Sequence, residues 1–549
     1  MKAAEAMARI LKLEGVKFVT CFPPNQLINP SDELGIRTIL ARQERVAVNI
    51  ADGYTRVSRQ TGVALVAAGV GVENAFSGIS QAYADLVPML VVADQLPRGS
   101  LGGRRTQDLD ALFALHKVTK WSERVETADR VPEFMRRAFT YLRTGRPGPV
   151  FLELPLDIGR ETVEESHFAY RPVAGWRAEG NPRDVEVAAR AFLAARRPLI
   201  YAGEGVYYAG AWTELHRFAE LVQAPVMTTL KGKGVFPEDH PLSVGQGGMT
   251  GGKAAALFLR RADLVFAIGA SLTGGSGIFM GAEIPWGKKI IQCTVDESDL
   301  AKDYPVDWAI IGDAKLVLAQ MIREVKKQGG GKPKPDQALI DEISAVKEEW
   351  LREWMPKLTS SEVPINPLRV VWDLDQTVEK SDTIVTHDAG CPRDHLAPFY
   401  RAVTPRGYLG WGHHSTLGYS LGGAMGAKLA EPGKTVINVM GDGAFGMTGM
   451  DFETAVRERI PILTVVLNNS GMGTYFKMTP STSVLSGNYA KVAEGLGGYS
   501  ERVEKPDEVI PAIKRAQKST EAGRAALLEI ITAVEVDFQT KYWQDLRRT

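Results

Sequence analysis

The sequence predicts an α/β protein of three parallel-sheet domains. Three observations carry that expectation. Short apolar runs of strand length alternate with amphipathic helical stretches along the whole chain. Two polar, turn-rich segments, 158–184 and 326–336, interrupt the alternation. The chain has 549 residues, too many for one ordinary domain.

Each piece justifies itself. In residues 1–160 the runs 63–67, 89–93 and 150–154 read as strands, and a glycine-rich turn and a helix follow the first of them. Residues 185–325 contain 198–202, 226–230, 264–268 and 289–295. Residues 366–549 contain 383–386, 435–440, 462–467 and 526–531, then a tail from 534. The stretch KKQGGGKPKPD at 326–336 cannot form a core or a regular element, and a linker is drawn from 326 to 365.

Composition excludes several classes of function. Apolar residues make up 44% and charged residues 24%, ordinary for a soluble globular chain. Lys+Arg and Asp+Glu are equal at 65 each, so no basic field is available for nucleic acid. Cys21, Cys293 and Cys391 form neither a disulfide framework nor a metal-binding spacing, which points to a reducing, cytoplasmic setting. Glu5, Arg9, Lys12 and Glu14 interrupt the apolar N-terminal helix, so it is neither signal peptide nor membrane span, and runs such as 460–467 are too short to cross a bilayer. No membrane partner is expected.

The most informative motif lies in the third piece. The strand 435–440 runs into Gly441-Asp442-Gly443-Ala444, and the strand 462–467 ends in Asn468-Asn469-Ser470-Gly471. One strand–helix–strand unit separates Asp442 from Asn469. That brings a carboxylate and an amide oxygen together at neighbouring strand ends, the edge where open α/β sheets bind ligands. Mg²⁺ takes a few protein oxygens plus phosphate oxygens. Asp442, Asn469 and the Gly471 carbonyl supply such a set. Read singly, Gly-Asp-Gly is a turn and Asn-Asn a strand terminator.

Taken together, the two motifs resemble the signature of thiamine-diphosphate-dependent enzymes. The likeness runs from about residue 4 to 531 and is greatest to the acetolactate synthase and 2-oxo acid decarboxylase branch. It implies thiamine diphosphate and Mg²⁺ as cofactors, and pyrimidine-binding, central and diphosphate-binding domains in that order. Gly441, Gly443, Ala444 and Met472 complete the implied diphosphate set. The segment WGHHSTLGYSLGGAM, 411–425, resembles the one that cups the pyrimidine ring. Leu417 matches the bulky residue beneath the cofactor, with its N–H and the Ser415 carbonyl on the ring edge. Arg42-Gln43-Glu44 and the VAVNIADGYTR that follows resemble the helix bearing the catalytic glutamate. Glu44 would contact a pyrimidine nitrogen and drive the tautomer that removes the thiazolium C2 proton, a task for a carboxylic acid in a water-poor site. Asn74 closes the turn from Gly69. Val70 and Gln43 depart from the family, which usually has Pro and His there. The resemblance also implies a homodimer or homotetramer with sites at subunit interfaces.

Specificity is expected from Asn25 in CFPPNQL, from Gln107, and from His413 and His414, a pair that either shuttles protons or caps its loop. His116 and His395 read as structural. Two departures argue against a standard acetolactate synthase. No Trp follows Asn469 in Gly471-Met472-Gly473-Thr474-Tyr475-Phe476-Lys477, and Gly269-Ala270-Ser271-Leu272-Thr273 lacks the Arg- and Asp-containing run that helps hold FAD. The preferred substrate is a small 2-oxo acid or hydroxy ketone, decarboxylated or cleaved, with ligation to a second carbonyl as a further outcome. An acyl-CoA lyase, for which the tail with Lys541, Arg547 and Arg548 would act as a lid, is the second reading. A non-catalytic thiamine-fold subunit is the third.

Overall fold

The computed structural model describes residues 1–273, 283–331, 334–410, 412–473, 479–537 and 541–544. It contains three six-stranded sheets whose paired strands are all parallel. The first comprises β1 (Phe18–Cys21), β2 (Arg37–Leu40), β3 (Val63–Val66), β4 (Leu90–Gln95), β5 (Trp121–Arg124) and β6 (Val150–Pro155), in the order β2-β1-β3-β4-β6-β5. The second comprises β7 (Pro198–Ala202), β8 (Val226–Thr228), β9 (Ser243–Gln246), β10 (Leu264–Ile268), β11 (Lys289–Thr294) and β12 (Trp308–Ile311), in the order β12-β11-β10-β7-β8-β9. The third comprises β13 (Thr383–His387), β14 (Tyr408–Gly410), β15 (Thr435–Gly441), β16 (Leu463–Asn468), β17 (Tyr499–Val503) and β18 (Ala526–Ile531). Its order, β14-β13-β15-β16-β18-β17, repeats that of the first sheet position by position.

The inner strands are continuous buried runs of Val, Ile, Leu and Ala, as a sheet covered on both faces requires. The expected strands fall on them within a residue or two. The structure adds β1 and six edge strands, β2, β5, β9, β12, β14 and β17. Several of these are half-exposed and carry mixed side chains, so they leave no apolar run to read.

Two segments differ from the sequence expectation. Within 326–365 the chain forms a 22-residue helix, Gln337–Leu358, whose first turn is capped by Asp336. Its Ile343 enters the central core, and Trp350 stacks on Phe399 of the third domain at 5.3 Å. Residues 69–74 are not a turn: Gly69, at φ +57°, starts a helix, Val70–Ala84, and Asn74 lies in it. No helix among the described residues is long and apolar enough to cross a membrane.

The first and third domains meet through two helices, Glu44–Ser58 and Tyr419–Ala430. The contact is backbone on backbone. A Cβ at Gly53 would lie 2.2 Å from the Gly423 carbonyl oxygen, and one at Gly426 would lie 2.1 Å from that of Ile50. Only glycine allows this approach.

Candidate active site

The third domain is built as the motif spacing requires. β15 runs directly into a short helix, Asp442–Thr448, and pairs with β16, so Asp442 and Asn469 leave adjacent strand ends. Asp442 Oδ1 accepts from the Gly443 amide at 3.0 Å, and Oδ2 accepts from the Gly471 amide at 2.9 Å. The same Gly471 amide donates to Asn469 Oδ1 at 3.1 Å, so one N–H holds both side-chain oxygens together. The Gly471 carbonyl accepts from Gly473 and keeps its second lone pair. The segment 483–485 braces this loop: Met472 donates to the Ser483 carbonyl, and a Cβ at Gly471 would lie 2.5 Å from that oxygen. Gly443 also lies against Met472, its Cβ position being 3.0 Å from Sδ, while Ala444 is buried behind.

Asp442 is a buried carboxylate whose side-chain hydrogen bonds come from backbone amides. Burial pushes its carboxyl up to about 6, the negative charge of Glu529 adds to the rise, and the two backbone amides oppose it. Among the described residues no Lys, Arg or His forms an ion pair with Asp442. A buried carboxylate beside an amide oxygen and a carbonyl, with no cation of its own, fits a hard dication.

The adjacent segment 410–420 is held from both domains. Asp388, at the end of β13, accepts from the amides of Ala389, Gly418 and Ser420 at 2.8–2.9 Å and from the Ser420 hydroxyl at 2.6 Å. Ser415 sits at φ +53°, and Leu417 packs against Ala389 and Tyr419. From the first domain, Asp85 accepts the Gly412 amide at 2.6 Å and the His413 amide at 3.0 Å. Arg56 joins Asp85 at 3.0 Å, Asp52 at 2.7 Å and the Gly410 carbonyl at 2.9 Å. Burial works against ionisation of Asp85, but Arg56, His413 and Lys231 outweigh it and hold the carboxyl far below the usual range. His414 Nδ1 lies 2.9 Å from the Ser80 hydroxyl, and His413 Nδ1 lies 3.6 Å from Asp85. Asp388, Asp85 and Arg56 escaped the sequence reading because each stands alone among ordinary strand-end or helix residues. Trp411 and 474–477 lie outside the described residues, as do Arg547 and Arg548.

In the first domain Glu44 opens its helix and is 3% exposed. Asn74 Nδ2 donates to its Oε2 at 3.1 Å, so those two predicted residues are together. No hydrogen bond or ion pair links Glu44 to Asp442, Asn469 or Leu417 among the described residues of the same chain. The other pocket candidates are dispersed. Asn25 spends its amide on the backbone, donating to the Val66 and Val92 carbonyls and accepting from Leu27. Gln107, at φ +66°, is exposed, and its backbone abuts Gly69.

A cavity of about 880 Å³ opens between the first and central domains, where the strands of the second sheet end. Its lining reaches from Gly269 and Thr273 to His413. Two of its cations are already paired, Lys231 with Glu204 at 2.8 Å and Arg146 with Asp296 at 2.8 Å. Among the described tail residues, Glu535 meets His395 of the third domain and Trp543 donates to the Gly251 carbonyl of the central domain.

Family comparisons match this architecture piece by piece. Residues 1–115 match the thiamine pyrophosphate enzyme N-terminal TPP-binding domain, 185–321 the central domain, and 388–530 the C-terminal TPP-binding domain. A probable acetolactate synthase large subunit of Methanocaldococcus jannaschii is 33% identical over 95% of this chain and 90% of its own length. The acetolactate synthase isozyme 3 large subunit of Escherichia coli is 28% identical over 96% and 94%. The acetolactate synthase large subunit of Corynebacterium glutamicum is 31% identical over 94% and 85%. The chain therefore belongs to the thiamine pyrophosphate enzyme family and is a thiamine-diphosphate-dependent enzyme of the acetolactate synthase type.

Proposed function

We propose that this enzyme uses thiamine diphosphate with Mg²⁺ to decarboxylate a small 2-oxo acid or cleave a hydroxy ketone, and to pass the resulting carbanion equivalent to a second carbonyl. The observation that carries the metal is Asp442, buried without a cation and tied through one amide to Asn469. Asp442, Asn469 and the Gly471 carbonyl would hold Mg²⁺ against the diphosphate, with Gly441, Gly443, Ala444 and Met472 around the phosphates. When bound, thiamine diphosphate supplies a thiazolium carbon that attacks a carbonyl and then accepts the electron pair of the breaking C–C bond.

The chain's own groups prepare that chemistry. Leu417 props the pyrimidine from below, on a turn that Asp388 fixes. Glu44 holds a proton at its carboxyl for the pyrimidine nitrogen. Among the described residues its one side-chain hydrogen bond is from Asn74, and none reaches Asp442 or Asn469, which supports a site completed by Glu44 of a second copy, in a dimer or tetramer. His414 has Nδ1 committed to Ser80, which leaves Nε2 to exchange protons above the reacting carbon. Asn25 shapes the pocket floor through the ends of β3 and β4, and Gln107 lies on a loop that can meet the acceptor.

The test is a screen of 2-oxo acids, hydroxy ketones and acyl-CoAs with product analysis, in thiamine diphosphate and Mg²⁺. Carbon dioxide release with a hydroxy-keto product supports the reading. Turnover of acyl-CoA alone, or activity indifferent to Mg²⁺ after chelation, overturns it.

A further inference from the structure

Away from the thiamine site, the central domain carries a cluster that neither the fold nor the proposed chemistry uses. His216 and Glu220 lie one turn apart on the helix Trp212–Val222, and His240 stands on the connection between β8 and β9. His216 Nδ1 is 3.4 Å from Glu220 Oε2, and His240 Nε2 is 3.7 Å from Glu220 Oε1. The three potential ligand atoms all lie within 4.8 Å of one another. The imidazoles meet edge to face at 4.7 Å, and both rest against the buried ring of Phe236, at 5.9 and 4.8 Å. Among the described residues Glu220 has no Lys or Arg partner; its ion-pair contacts are these two histidines.

We propose that His216, Glu220 and His240 bind a first-row transition-metal dication of the zinc class. Two imidazole nitrogens and one carboxylate oxygen are a donor set for such ions, and solvent fills the remaining positions. The set is chemically distinct from the all-oxygen site at Asp442, which suits a hard ion. Phe236 limits the rotamers of both rings, while Glu220, half-exposed, swings to close the remaining distance. The His240 ring accepts a backbone amide and so holds a lone pair. That lone pair now sits on Nδ1, which accepts the Leu242 amide at 3.1 Å, and the ring proton on Nε2 faces Glu220. Ligation through Nε2 moves the proton to Nδ1 and gives up one neutral hydrogen bond. The bound ion would pin the helix Trp212–Val222 to the β8–β9 connection.

The experiment uses the untagged full-length enzyme, treated with chelator and then saturated with thiamine diphosphate and excess Mg²⁺, and titrated with Co²⁺. Visible d–d absorption should grow to one equivalent per chain, and Zn²⁺ should displace it. His216→Ala and His240→Ala should each weaken Co²⁺ binding by about tenfold or more, and Asp442→Ala should keep the band. Glu220→Gln, with its surface position, tests the site if a histidine variant fails to fold, and should also lose affinity. No saturable Co²⁺ band in the parent, or unchanged affinity in the folded variants, overturns the proposal.

Discussion

The first and third domains share one strand order, yet one strand-end carboxylate of the third is held differently from those of the first. In the first, the groups at the ends of β3, β4 and β6 satisfy one another. Asn25 ties the Val66 and Val92 carbonyls, Asp94 accepts from Gln26, and Glu153 pairs with Arg124 at 2.7 Å and accepts from Gln95. In the third, Asp442 is buried with only backbone amides for company. Identical topology therefore does not make two identical strand ends. On the reading proposed above, the metal would neutralise the charge that Asp442 leaves buried.

Breaking that contrast should cost most at Asp442. Asp442→Ala is expected to abolish Mg²⁺-dependent thiamine diphosphate binding while the circular dichroism spectrum survives, with Asn469→Ala acting in the same direction. Calorimetry showing parental cofactor affinity in both variants would remove the site. Next comes the first domain's own contribution. Glu44→Gln should retain the cofactor but slow C2 proton exchange by about 10²–10⁴-fold, the usual loss on deleting a general acid–base group. Equal H/D exchange rates by quenched NMR would take Glu44 out of the mechanism.

A smaller effect is expected where the first domain reaches across to the third. Asp85→Asn loosens the Gly412 and His413 amides and should weaken thiamine diphosphate binding by about tenfold, measured by fluorescence titration. An unchanged affinity would mean that Asp388 alone shapes the segment. His414→Ala should leave binding intact and shift the partition between protonated and ligated product a few-fold; single-turnover quenching counts the two. Weaker cofactor binding with an unchanged partition would make His414 a loop cap.

The smallest effect lies in the satisfied half of the comparison. Burial pushes the Asp94 carboxyl up to about 6, against its hydrogen bonds from Gln26. A carboxyl whose folded pKa exceeds its unfolded one stabilises the fold below the unfolded value, near 4, and loses that contribution as pH rises through about 6. Asp94→Asn removes the titration. The difference in unfolding free energy between variant and parent should therefore move in the variant's favour by about 1–2 kcal/mol from pH 4 to pH 7. A difference independent of pH would show that Asp94 is not buried as described.

Much of this was legible in the residues, and the limits are physical. The inner strands and the pair Asp442 and Asn469 announce themselves because long apolar runs end abruptly in Gly, Asp and Asn. Edge strands such as Trp121–Arg124 do not, since a half-exposed strand needs no apolar run. The helix Gln337–Leu358 was hidden behind a glycine- and lysine-rich stretch that reads as linker. Asn25 was legible as a polar residue in a special loop, but its backbone partners, Val66 and Val92, are set by the sheet. The Asp85–Arg56 clamp depends on two domains meeting, and no local pattern records that.

The glycine-lined contact between Glu44–Ser58 and Tyr419–Ala430 has a consequence for how the enzyme can move. Side-chain interfaces have play, because rotamers can be exchanged; an interface of main chain on main chain has none. It works as a fixed gauge between the helix that begins at Glu44 and the segment 412–420. A single methyl group at Gly53 would spoil the calibration without touching the chemistry.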